Sequence, residues 1–161
     1  MSKNLNIDPT NKYWVSMRKN GLKEYENINE LADNSLEEDV KANYFNVFVY
    51  SKEGDNNAVD KIACWDDGIG MDESILSEMI KPGSETSKTE KCLGINGIGF
   101  NNAVNALCKK ATVYTKTNEG NLLKAETGFD ENWKRYGVLF YQDEITDDEI
   151  KTFNDNIGHH G

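Results

Sequence analysis

The chain has 161 residues, 37% of them hydrophobic and 29% charged, with a formal net charge of −10. That length suits one domain with a sizeable core, and the excess of acids repels phosphate backbones and anionic lipid, which argues against a broad nucleic-acid or membrane surface on this segment. No apolar run approaches the roughly 20 residues of a membrane span, and the opening MSKNLNIDPTNKYW lacks the apolar core of a signal peptide, so the chain reads as cytoplasmic.

Residues 12–38 read as helix in two pieces broken near Asn20-Gly21, the second carrying an apolar stripe of Tyr25, Ile28, Leu31 and Ala32. Alternating aromatic and β-branched residues in NYFNVFVYS (43–51) predict a strand, KEGDNN a turn, and AVDKIACW (58–65) the returning half of a hairpin. The chain then leaves through Asp66, Asp67, Gly68, Ile69 and Gly70. An Asp-Gly hairpin turn needs a second strand after it, yet residues 72–80 have helical spacing with acids at their start, so these glycines join a strand to a helix. They bring bare backbone close to something.

The stretch KPGSETSKTEKCLGINGIG (81–99) is rich in Gly, Ser and Thr and has no periodicity. Structureless loops of that length in a compact domain are usually functional lids or disordered. A helix is predicted over 100–110, strands over 111–117 and 121–127 around NEGN, a strand near 136–142 and an acidic helix near 146–156. Cys64, Cys92 and Cys108 lack metal-ligand spacing and read as reduced, mostly buried thiols. The His159-His160 pair reads as a fraying terminus or cloning scar. This order of elements predicts an α+β sandwich with helices on one face of a mixed sheet.

Three places could carry chemistry. In NELADNSLEE (29–38), Glu30 and Asn34 are four apart and share a helix face, so a carboxyl and an amide oxygen could together hold a water and a hard cation; a solvated polar face is the plainer reading. In the Asp66 stretch, an acid at a strand end could accept from a base's exocyclic amine while the glycines let a flat ring lie against the chain. A turn in which Asp66 or Asp67 bonds the local backbone is the alternative. In GINGIGFNNA (94–103), glycines free backbone N–H groups at a helix mouth, where an anion such as phosphate is favoured, although the same residues could form only a loop.

Together, and in this order, the three segments resemble the Bergerat ATP-binding fold of the GHKL superfamily, which includes gyrase B subunits, heat-shock chaperones, histidine kinases, MutL and MORC proteins. The resemblance covers roughly residues 20–127: ELADNSLE is similar to the N box, DDGIGM to the first glycine box and GINGIGF to the second. The Asp33-Asn34-Ser35 variant is closer to the gyrase, MutL and MORC style, and TSK at 86–88 resembles the MutL lid. The resemblance implies a two-layer sandwich with a Gly-rich ATP lid, ATP or ADP with magnesium as ligands, and ATP hydrolysis that is weak or absent in the isolated segment.

Carried over by residue, it makes Glu30 the general base and Asn34 a magnesium and nucleotide ligand. Asp66 becomes the adenine acceptor, with Gly68, Gly70 and Met71 lining the base pocket. Lys88, Gly94, Gly97, Gly99 and Phe100 fall on the lid and the phosphate-binding helix start. Glu37 stands where relatives often carry Asp, and Asn101 stands where many carry Lys or Arg, removing a positive charge from the phosphate side. The resemblance also implies that residues 1–161, a single domain, stop short of a final Gly-Thr strand, and that the remainder of a parent protein or a partner domain completes the site. The expected role is a nucleotide-gated clamp or switch, with a nucleotide-driven homodimer among its forms. A non-hydrolysing nucleotide sensor, a histidine-kinase-type transferase and a plain interaction module are the rival readings.

Overall fold

In the structure, a computed structural model that describes residues 2–5, 24–37, 40–81, 98–132, 134–157 and 161, the chain runs β1 (Lys3–Leu5), α1 (Glu24–Ser35), β2 (Phe45–Lys52), β3 (Asp55–Asp66) and α2 (Glu73–Ile80). It continues with α3 (Ile98–Leu107), β4 (Lys110–Thr115), β5 (Leu123–Phe129), β6 (Arg135–Phe140), a short 3-10 turn (Gln142–Glu144) and α4 (Asp147–Ile157). The expected first helical piece before residue 24, and Cys92 and His159-His160, lie outside the described residues.

Strands β2 and β3 form the expected hairpin, but its turn is tighter than KEGDNN suggests. Gly54 takes a left-handed φ of 80°, and β3 begins at Asp55, so Phe45 ends up opposite Asp66. The other sheet has the order β1-β6-β5-β4. Among the described residues every pairing in both sheets is antiparallel, where the sequence predicts a mixed sheet. The cause is connection length: β4, β5 and β6 follow one another through short turns, whereas a parallel neighbour needs a crossover of a dozen or more residues. Strand β1, three residues long and paired with Gly137–Leu139, is too short for any periodic signal.

Helix α2 starts as its acids predict, with the Asp72 carboxyl accepting from the Ile75 N–H at 2.9 Å. Its Leu76 and Ile80 are fully buried against Ala125 of β5 and Leu139 of β6, with Val113 and Leu123 alongside. Helices α1 and α3 pack on each other, and α3 also meets α2. On β5 successive side chains point to opposite faces, so Lys124 faces away from this core, and Glu149 of α4 meets it there at 2.8 Å. Helix α4 also inserts Phe153, 1% exposed, into a second core with Leu122 and Ile145, against which Trp65 of β3 and Tyr114 of β4 pack. Phe153 thereby ties the hairpin that ends in Asp66 to the larger sheet.

Among the described residues no helix is long and apolar enough to cross a membrane. Among the described residues Cys64 and Cys108 lie outside any disulfide and are half-buried rather than buried.

Candidate functional site

Glu30 and Asn34 lie one turn apart on α1, both half-buried. Because α1 packs along α3, Glu30 reaches the opening of that helix. A methyl group added at Gly99 would stand 2.5 Å from Glu30 Oε2, so the acid lies against a bare Cα. Gly99 and Phe100, both half-buried, belong to the first turn of α3, which starts at Ile98 rather than after Gly99. The first turn of a helix carries unpaired N–H groups and the positive end of the macrodipole. An acid and a set of anion-seeking donors therefore face one small region.

Asp66 closes β3. Its Oδ1 accepts from the Gly68 N–H at 2.9 Å, and its Oδ2 accepts from the Ser35 hydroxyl of α1 at 2.8 Å. Asp67 is occupied elsewhere, accepting from the Asn43 N–H at 2.7 Å, the Asn43 side-chain amide at 2.9 Å and the Tyr44 N–H at 3.1 Å. Desolvation pushes the Asp67 carboxyl up, but these bonds outweigh it and hold the group below the usual carboxylate range. Asp66 thus makes a local backbone bond and also reaches across to α1, whereas Asp67 bonds residues 23 and 24 positions earlier, just ahead of β2.

The glycines prove to approach the protein's own chain. A methyl at Gly68 would meet Val40 Cγ1 at 2.6 Å and the Val40 carbonyl at 3.1 Å, and the same carbonyl accepts from the Ile69 N–H at 2.9 Å. Gly70, with a φ of 73°, lies against the Lys116 carbonyl past the end of β4, where any Cβ would collide with backbone. The Met71 N–H donates to Thr115 Oγ1 at 2.7 Å, and its side chain leans on the Leu76 and Ile80 core. Thr115, fully buried, donates in turn to the Gly161 carbonyl at 2.9 Å. Gly161 and Lys116 exchange both backbone hydrogen bonds, at 2.9 and 3.1 Å.

Asn101 departs from the expectation of a charge missing on the phosphate side. It is fully buried, donating to the Met79 carbonyl at 2.9 Å and accepting from Arg135 Nη2 at 3.1 Å. This position faces the interior between α2, α3 and β6, so its side chain joins helices rather than meeting an anion. Burial pushes the Arg135 guanidinium down to about 10, and it lies over the Phe129 ring.

Lys88, Gly94 and Gly97 lie outside the described residues. The structure brings together Glu30, Asn34 and Gly99 on one side and Asp66, Gly68, Gly70 and Met71 on the other, with Ser35 between. Ser35 and Thr115 were not singled out in the sequence. Ser35 sits inside a recognised motif and could have been; Thr115 has no local signal. A shallow cavity lined by Lys109, Phe129, Asp130 and Glu131 involves none of these residues. Among the described residues no three His, Cys, Asp or Glu side chains cluster as a metal site.

A two-layer α+β domain in which an acid-bearing helix, an aspartate-glycine strand exit and a glycine-opened helix converge defines an ATP-binding domain of the GHKL type. Residues 25–152 match the family described as histidine kinase-, DNA gyrase B- and HSP90-like ATPase, and the chain belongs to that family. No curated protein matches the chain.

Proposed function

We propose that this domain binds ATP with magnesium and hydrolyses it, serving as a nucleotide-gated clamp or switch within a larger protein. The observation that carries the reading is the position of Glu30, whose carboxyl lies against Gly99 in the first turn of α3. A phosphate chain held at that helix mouth would have the acid beside its terminal group. Glu30 is the general base that orients and deprotonates the attacking water, a role worth about 10²- to 10⁴-fold in rate.

Asp66 accepts from the adenine amino group, with Gly68, Gly70 and Met71 forming the wall behind the base. Asn34 fits magnesium because that ion keeps most of its shell as water and phosphate oxygen and needs few protein ligands. When bound, magnesium neutralises phosphate charge, while Asn34 contributes one neutral oxygen. Gly99 and Phe100 form the phosphate-side helix start, and Lys88, Gly94 and Gly97 are assigned to nucleotide binding with them. The adenine nucleotide is the direct partner; the remainder of a parent protein, and a second copy joined in the nucleotide-bound form, are the partners through which the switch acts.

Separating binding from chemistry tests this. Glu30→Gln is expected to keep most of the ATP affinity while hydrolysis falls about 10²- to 10⁴-fold, and Asn34→Ala to lose magnesium-dependent binding itself. Hydrolysis by Glu30→Gln at the parent rate removes the catalytic role.

A further inference from the structure

Ser35 is 6% exposed at the end of α1, directly after Asn34, and its hydroxyl has two acceptors in reach: Asp66 Oδ2 at 2.8 Å and the Leu31 carbonyl at 3.3 Å. A hydroxyl has a single proton to donate, and the shorter contact to a carboxyl oxygen is the stronger bond. Gly68 supplies the second donor, to Oδ1 at 2.9 Å, so one bond comes from each side of the carboxyl group. Two donors on opposite oxygens fix rotation about the Cβ–Cγ bond. Each oxygen keeps a further lone pair, and the directions left open are those of an acceptor.

Resting on the nucleotide reading above, we propose that Ser35 is the positioning residue that sets the base specificity of Asp66. A fixed acceptor rewards a ring that presents an amino group at that place, as adenine does, and rejects one that presents a carbonyl oxygen, as guanine does. With the Gly68 bond alone, two residues along the chain, the carboxyl group turns more freely and recruits water, so it discriminates less. The bond spans 31 residues between α1 and β3, which makes base recognition depend on the seating of the same helix that carries Glu30 and Asn34.

The test is calorimetric titration of ATP and GTP, each with magnesium, into the 161-residue chain and its Ser35→Ala, Ser35→Cys and Ser35→Thr variants, with circular dichroism and thermal melting to establish folding. Ser35→Cys preserves volume with a feeble donor, and Ser35→Thr preserves the hydroxyl. The expected result is ATP affinity reduced about tenfold or more in Ser35→Ala and Ser35→Cys, a smaller change for GTP, and ATP preference restored in Ser35→Thr. Folded Ser35→Ala or Ser35→Cys protein with the parent's ratio of ATP to GTP affinity overturns the proposal, whether or not both affinities fall together. If the folded parent binds neither nucleotide, the nucleotide reading itself fails, and that outcome is separate from a parent that binds and a variant that does not change.

Discussion

Gly99 is where the chemistry assigned to Glu30 meets a steric limit. A methyl there would come within 2.5 Å of Glu30 Oε2, so the carboxyl group must move if Gly99 becomes Ala. Displacing a catalytic group by an ångström costs up to about 10²-fold in rate, while alanine in a helical first turn is otherwise tolerated. Gly99→Ala is expected to slow single-turnover hydrolysis at least about tenfold with little change in melting temperature. Hydrolysis at the parent rate would separate Glu30 from the chemistry. At this scale the sequence was informative wherever function follows spacing: Glu30 with Asn34, and Asp66 ahead of two glycines, are local patterns. It was silent on Ser35 with Asp66 and on Met71 with Thr115, because those bonds join residues 31 and 44 apart and leave no periodic trace. It misread Asn101 for a related reason, since which way a helix's polar residue faces depends on what packs against that helix.

Helix α4 shows how an element remote from the glycine boxes holds the site in shape. Phe153→Ala should cost about 3–5 kcal/mol, as loss of a buried aromatic ring in a packed core does. Denaturant unfolding checks this, and a loss below about 1 kcal/mol would mean the second core contributes little. The same helix is held by Glu149, which accepts from Lys124 at 2.8 Å and from the Tyr114 hydroxyl at 2.6 Å. The Lys124 bond first, then that of Tyr114, hold the Glu149 carboxyl down at about 2, while burial and the same bond raise the Tyr114 hydroxyl. Because Glu149 takes up its proton less readily folded than unfolded, its stabilisation is complete above the ordinary carboxylate range and fades as pH falls from about 4.5 toward 2. Glu149 is partly solvated, so the loss is of the order of 1 kcal/mol. Glu149→Gln should lower stability at pH 7 and make it less steep in pH below 5; an unchanged slope would contradict the assignment. The hairpin, α2 and α4 were all legible from alternation and acid-led helical spacing. Strand direction was not, because pairing partners are chosen by connection geometry in the folded chain rather than by the pattern within one strand.

At the scale of the molecule, the two antiparallel sheets and four helices among the described residues bring the end of α1, the exit of β3 and the start of α3 together, although these segments are widely separated in sequence. Trp65, one residue before Asp66, packs on the Phe153 core, and Gly70 packs on the end of β4, so the acceptor strand is fixed from both sides. Asp66 thus closes a braced strand and bonds Ser35 of α1, the helix that also carries Glu30. The most direct measurement is isothermal titration of ATP with magnesium into the parent chain and into Asp66→Asn, both confirmed as folded. The account predicts saturable binding to the parent and affinity weaker by at least about 1–3 kcal/mol in Asp66→Asn, since the charged acceptor facing the adenine amino group is lost. Equal affinity in the two proteins, or no binding by the folded parent, would contradict it.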